Sequence, residues 1–354
     1  EAAVLAHPVR QALGAGAVGV GEVGDGQLPL LGEARELLKQ RQHLDAITVR
    51  QLDRILLMPY GAEGPMTNPA LVAARIEAET RQASILNGFT FQVGGKPVTA
   101  NAIDQTLNTS QDLAVRKAWW EASKEIGVPL KPGLLQLREL RNRVARELGH
   151  PDYFSLQMKR YDLEANEMMA YNRKFRAELE PLYRQLHTWV KHELARRYGQ
   201  PVPKRLPAHW INNRWSQNWT GLVEGVDFDP YLKGWAPERI VRSAEAFYVG
   251  LGFPALPSSF WTRSDLYPVK PGESRKKNAH ASCWHLDLGT DIRSLMSVES
   301  NYQWFETTHH ELGHGYYFMA YTRPEVPPLL RDGANPSFHE GIGELISLAT
   351  RQVP

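Results

Sequence analysis

Two histidines four residues apart with a glutamate beside the first, His310-Glu311-Leu312-Gly313-His314, are the residues of this chain best suited to chemistry. On a helix, residues at i and i+4 return to nearly the same face about 6 Å further along, so both imidazoles can aim a nitrogen at one ion. Glu311 then lies where a carboxylate can hold and deprotonate a metal-bound water. A hydrolytic zinc site needs a third protein ligand and one position open to water. Tyr317 and Ala320 stand where a metzincin has Gly and His, which excludes that class. Downstream, Asn335-Pro336-Ser337-Phe338-His339-Glu340 is a strong helix start, with a capping residue, a proline and an early acid. Glu340 is the expected third ligand. Glu344, one turn later, can accept the remaining N–H of a ligating histidine. Glu325 and Asp332 compete less well because their Pro-rich connector offers no rigid mount. Plainer readings exist for each part. The pentapeptide arises by chance in chains of this size, and an acid near a helix N-terminus can simply complement the helix dipole. His192-Glu193 is followed by Arg196 where a second ligand would stand, and that segment reads as a solvated helix face.

The elements that must position these groups are mostly helical. The metal helix is predicted to start at a capping box of Ser300 and Gln303 and to run to about Tyr321, with Trp304, Phe305, Leu312, Tyr316 and Tyr317 supplying burial. Leu37, Leu38, Leu44, Ile47, Leu52 and Ile55 suggest one or two helices from about Glu33. Asn68-Pro69 opens another, carrying Leu71, Ile76 and Ile85. Phe89 to Val93, Gly94-Gly95, Pro97 and Val98 read as a small hairpin. Helices resume from about Ser110, with Trp119 and Trp120 as core candidates, and long stretches follow at about 133–149, 165–199 and 236–251. Two G-x-G-x-x-G matches fall on Gly14, Gly16 and Gly19 and on Gly19, Gly21 and Gly24. Neither has the preceding strand and following helix that a dinucleotide site requires. The expected organisation is a low-complexity leader over 1–32 and one mainly α domain over 33–354. That domain is a multi-helix zincin-type architecture with a deep cleft and a small β-hairpin next to the metal helix.

Composition bounds the remaining classes. The chain has 354 residues, 42% apolar and 23% charged, and a formal charge of +2. Such a balance is that of a globular protein and offers no basic field for nucleic acid. No run approaches the roughly 18 apolar residues that span a bilayer. Cys283 is the only cysteine, so no intrachain disulfide or Cys-rich metal site can form, and any metal must use His and carboxylate. Cys283 has no basic neighbour in sequence to mark it as a nucleophile. Glu1 rather than Met at one end, and Val353-Pro354 directly after a helical pattern at the other, suggest a fragment cut at both ends, with the domain truncated at its C-terminus.

Three motifs in order carry a family resemblance: His280-Ala-Ser-Cys-Trp284, His309-His-Glu-Leu-Gly-His-Gly-Tyr-Tyr-Phe-Met319 and Arg331-Asp-Gly-Ala-Asn-Pro-Ser-Phe-His-Glu-Gly-Ile-Gly-Glu344. Together with Trp215-Ser-Gln-Asn-Trp219, they resemble the angiotensin-converting enzyme family of peptidyl-dipeptidases. The resemblance implies one zinc ion on His310, His314 and Glu340, with Glu311 as catalytic base. It implies oligopeptide substrates with a free C-terminus. It also implies a substrate-pairing strand that makes His280, Ala281 and Cys283 substrate-side positions. Asp287 to Asp291 would turn that strand back into Ser294–Val298, a hairpin leading into the metal helix. Read from the residues alone, His280 is equally well a satisfied core histidine. Gln217 stands where dipeptide-releasing relatives grip the substrate carboxylate and a carboxypeptidase relative carries arginine, which favours release of two residues. Its plain alternative is a polar residue between two core tryptophans. The family's transition-state histidine and tyrosine lie beyond its ligating glutamate, and this chain stops at Pro354 before reaching them. An arginine of one family chloride site is replaced near Ser155, so chloride is the weakest implied ligand. The family suggests export, although no signal peptide is visible. The competing functions are a single-residue zinc carboxypeptidase and an inactive zinc- and peptide-binding fragment.

Overall fold

A computed structural model describes residues 27–57, 68–161, 163–217, 219, 222, 228–270, 272–278 and 280–352. The glycine motifs between Gly14 and Gly24 lie outside the described residues. Helices make up nearly all of the regular structure among those residues. Helices α1 (Gln27–Leu38) and α2 (Ala46–Leu57) pack Ala34, Leu52 and Ile55 into a small apolar cluster that Leu329 joins from far along the chain. Arg54 of α2 pairs with Asp332. The N-terminal helices therefore brace the connector that leads to Glu340.

Helix α3 (Pro69–Gly88) starts where Asn68 accepts the Leu71 N–H, with proline at its first position. Strands β1 (Phe91–Val93) and β2 (Lys96–Val98) form the expected hairpin. Gly94 and Gly95 turn it with φ of 57° and 75°, the backbone that a two-residue hairpin turn demands. Helices resume earlier than Ser110. The Thr99 hydroxyl caps α4 (Ala100–Thr109), and Ser110 stands at its far end, before α5 (Leu113–Ala122). Trp119 and Trp120 are only half-buried. The long helices are α6 (Gly127–Glu147), α7 (Ala165–Arg197) and α8 (Pro237–Gly250). Arg116 of α5 is buried and donates to the carbonyls of Leu107, Ser110, His209, Trp210 and Ile211, satisfying a guanidinium that would otherwise be costly inside. This fastens α5 to a cluster formed by Val190, Leu194, Ala195, Trp210, Ile211 and Leu222.

The main core lies in the last third of the described chain. It joins α8, strands β3 (Ser282–His285) and β4 (Ile292–Leu295), and helices α9 (Tyr302–Tyr321) and α10 (Pro336–Ala349). The hairpin is offset from the expected spans His280–Trp284 and Ser294–Val298, pairing Ser282 with Leu295 and His285 with Ile292. Two local causes account for this. The Asp287 carboxylate accepts the N–H groups of Gly289, Thr290 and Asp291, which closes the turn and extends the ladder to His285. Beyond Leu295 the backbone changes partner, since Met296 and Val298 donate to the carbonyls of Asp265 and Leu266. The start of α9 also differs from the expected capping box. Asn301 is the cap, accepting the Trp304 N–H at 2.9 Å, while the Ser300 hydroxyl donates to the Trp235 carbonyl.

Candidate metal centre

Helix α9 is buried on nearly every side through its middle turns, where Thr308, His309, Glu311, Leu312, Gly313, His314, Gly315 and Tyr316 are all inside. A helix buried all round is held by several neighbours at once. On one side Tyr248 of α8 stacks on Tyr316, with ring centroids 4.2 Å apart, and donates its hydroxyl to the His309 carbonyl at 2.8 Å. On another, the Cys283 thiol of β3 faces Gly315, where an added Cβ would stand 3.5 Å from the sulfur.

Helix α10 approaches from a third side, started by Asn335 accepting the Phe338 N–H at 2.8 Å ahead of Pro336. The two helices meet at glycine. A Cβ on Gly313 would lie 3.1 Å from the Gly343 Cα, and a Cβ on Gly343 would lie 2.8 Å from Cε1 and Nδ1 of His310 and 2.9 Å from its Nε2. The His310 ring thus rests flat on a bare backbone, and this close approach brings Glu340 within reach of both histidines.

His310 Nε2 and His314 Nε2 are 3.1 Å apart, His310 Nε2 and Glu340 Oε2 3.4 Å, and His314 Nε2 and Glu340 Oε2 3.7 Å. Ligands about 2.05 Å from a tetrahedral zinc ion are separated by about 3.3 Å, within the span of these three edges. The circle through the three atoms has a radius of about 2.0 Å, so one point can lie at bonding distance from all of them. Two imidazoles and a carboxylate are also a donor set that zinc accepts. The group meets the geometric and chemical requirements for one zinc ion.

The electrostatics suit a cation. Burial, with His310 and His339 contributing, lowers His314 to about 4 and keeps it in the neutral form that a ligand requires. Burial, and then the Glu340 carboxylate, pushes Glu311 up to about 8, and its Oε2 is buried without a hydrogen-bond partner. A divalent ion between the imidazoles would draw that carboxyl back down, leaving a base of moderate strength beside the site.

The structure brings His310, His314 and Glu340 together and sets the Glu344 Oε1 3.7 Å from His310 Nδ1. Glu340 and Glu344 are both exposed, while the histidines are largely covered. Ala281 is buried in the main core, and burial pushes the Cys283 thiol upward, with Glu311 as the second cause. His280 is exposed, with Nδ1 3.0 Å from the Ala281 carbonyl, so it is not a core histidine. Gln217 is exposed too, its N–H bonded to Asn213, and it lies in a segment whose Trp219 packs on the α7 cluster rather than on the core of the metal helices. Trp215 beside it is 67% exposed, which overturns the picture of a residue between two core tryptophans.

Two residues of the site were not singled out in the sequence. His339 places its Nδ1 2.6 Å from His314 Nδ1, and Gly343 seats the His310 ring. A signal existed for the second. A glycine inside a helix costs about 1 kcal/mol against alanine, and one standing a turn after a ligand asks for a packing reason.

A mainly helical core that offers two histidines from one helix and a glutamate from the next, with a buried glutamate beside the first histidine, has the residue layout of metallopeptidases of the HExxH type. The family follows from the sequence. The peptidase family M2 model, described as angiotensin-converting enzyme, matches residues 92–353, and the chain belongs to that family. Among curated relatives, it is 29% identical to angiotensin-converting enzyme of Rattus norvegicus over 315 residues, covering 85% of this chain and 23% of the relative. It is 32% identical to that of Mus musculus over 315 residues, again 85% and 23%. With that of Bos taurus it shares 33% identity over 258 residues, 69% and 19% respectively. The chain thus spans about a fifth to a quarter of the length of these relatives.

Proposed function

We propose that the chain holds one zinc ion on His310, His314 and Glu340 and serves the hydrolysis of oligopeptides, releasing dipeptides from a free C-terminus. The observation that carries this reading is the triangle of donor atoms with edges of 3.1, 3.4 and 3.7 Å. When bound, zinc supplies a Lewis acid that polarises the scissile carbonyl and brings the pKa of its water to about 7. His310 and His314 present ring nitrogens from a helix that is packed on nearly every side, so little ordering remains to be done on binding. Glu311 takes the proton of the attacking water and returns it to the departing amine nitrogen, the double role of a general acid–base. Its burial keeps bulk water from competing for that proton.

Release of two residues rather than one rests on family membership, since Gln217, at the position that resembles the carboxylate grip, lies in the segment packed on the α7 cluster. The test combines metal content with product masses. The purified chain is loaded with zinc, dialysed, and incubated with peptides bearing free or amidated C-termini. One zinc per chain, with products shortened by two residues from the free form only, is the expected result. Products shortened by a single residue would convert the reading to a carboxypeptidase, and a chain that retains no zinc would overturn it.

A further inference from the structure

The two imidazoles of the metal pair are held from behind in different ways. His310 turns its Nδ1 towards the Glu344 carboxylate at 3.7 Å, whereas His314 turns its Nδ1 to another imidazole, that of His339, at 2.6 Å. Two ring nitrogens at that separation share one proton between them. If His314 is to offer Nε2 to a metal as a neutral ring, its own proton must sit on Nδ1, and His339 must then accept at Nδ1 and carry its proton on Nε2. The surroundings of His339 allow little else. Its ring is wedged between Tyr317 and Phe318, with centroids 4.8 and 4.9 Å away, and lies against Gly333, where an added Cβ would come within 2.8 Å of its Cδ2. Its Nε2 is buried without a hydrogen-bond partner. A buried polar atom left unpaired is a cost, and here it accompanies a ring whose other nitrogen is fully engaged.

We propose that His339 is a positioning residue for the metal centre: it accepts the Nδ1–H of His314 and so fixes the tautomer and ring angle that present His314 Nε2 to the ion. The inference rests on the zinc reading of His310, His314 and Glu340 and goes beyond it by assigning the hydrogen-bond acceptor behind one ligand. Metal-ligating histidines commonly donate their second N–H, and loss of the acceptor typically weakens metal binding about 10- to 100-fold. Here the acceptor is a neutral ring supplied by the residue next to the third ligand, so one turn of α10 contributes both a ligand and the brace for another.

The test compares His339→Phe, which fills the space without an acceptor, with His339→Asn, whose amide oxygen can stand where Nδ1 stands. Zinc affinity is measured by competition with a chromophoric chelator, and the Co2+-loaded proteins are compared by visible absorption, with thermal unfolding of the metal-free forms as the control for folding. The expected result is a zinc affinity about 10- to 100-fold weaker and an altered Co2+ spectrum for His339→Phe, with His339→Asn within about threefold of the parent. Equal affinity for the parent and His339→Phe overturns the proposal, as does His339→Asn binding as weakly as His339→Phe. If His339→Phe does not fold, His339→Gln replaces it, because its longer side chain carries the amide away from the Nδ1 position. The zinc reading itself fails in a different way, by the parent binding no zinc or by His314→Ala binding it as the parent does.

Discussion

Gly343→Ala is the sharpest perturbation of the proposed centre, because it adds one methyl group to α10 whose three nearest neighbours are all atoms of the ring it must displace. The new Cβ would stand 2.8 Å from two atoms of the His310 imidazole and 2.9 Å from a third, where ordinary contact begins near 3.4 Å. The ring or the helix must therefore yield by about 0.6 Å, whereas a metal site tolerates about 0.2 Å in ligand distance. The metal-free protein should lose about 0–2 kcal/mol of stability. Overpacking costs about 1–3 kcal/mol, and replacing glycine by alanine within a helix returns about 1 kcal/mol. Zinc affinity should fall by at least about tenfold, in line with the loss of a well-oriented ligand. Chelator competition reads the affinity and urea unfolding of the metal-free chain reads the stability. Gly341→Ala is the matched control, since nothing lies within 4 Å of its added Cβ. That variant should bind zinc as the parent does and be no less stable. If Gly343→Ala and Gly341→Ala bind zinc equally well, then His310 is not seated on Gly343 in the loaded site and the geometric argument is wrong.

Glu311→Gln should leave zinc affinity within a few-fold of the parent while peptide hydrolysis falls by about 10²- to 10⁴-fold, and equal losses in both would make Glu311 a ligand rather than a base. In the metal-free chain Glu311 is raised from 4.5 to about 8, so the folded state keeps a proton that the unfolded state releases between those values. Its contribution to stability is therefore whole below about 4.5, declines as pH rises, and levels off above about 8. His314, lowered from 6.5 to about 4, acts in the opposite sense, favouring the folded state as pH rises from about 4 to 6.5. The clean window is thus pH 6.5 to 8, where urea midpoints should show the parent losing stability relative to Glu311→Gln; a parallel pair of curves would refute the shift. Burial pushes the Cys283 thiol upward, so iodoacetamide at neutral pH should label it slowly in the folded chain and readily in urea, and labelling at the rate of a free thiol would show the sulfur to be open.

Most of the scaffold of the centre was legible because it follows from local rules. His310 and His314 are set by helical period, and Asn335-Pro336 starts α10 by capping chemistry alone. The departures share a cause, which is competition by groups distant in sequence. Ser300 and Asn301 are both good caps, and the choice falls to Asn301 because the Ser300 hydroxyl is taken by the Trp235 carbonyl. The hairpin register was displaced by the Asp265–Leu266 segment, which captures the N–H groups of Met296 and Val298. Trp215 looked like core from its type, yet it lies outside, with Lys124 and Arg214 placed over its ring at 4.6 and 5.7 Å. His339 and Gly343 were hidden for another reason. Their roles appear only when two helices are placed face to face, and a single sequence does not give the distance between them.

The placing of these residues on α10 bears on how the centre is preorganised. His339, Glu340, Gly343 and Glu344 recur at the one-and-four spacing that lines a single face of a helix. Each meets α9 differently: His339 holds His314, Gly343 lies under His310, Glu344 approaches the back of His310, and Glu340 closes the triangle. Helix α10 is therefore the template that sets the angles of two ligands as well as the source of the third. Helix α9 cannot do this alone, because its own period fixes where the two rings begin but not how far each rotates about its side-chain torsions. The asymmetry of burial fits this division. The rings are covered by α10, while the Glu340 carboxylate, on the same helix, stays exposed.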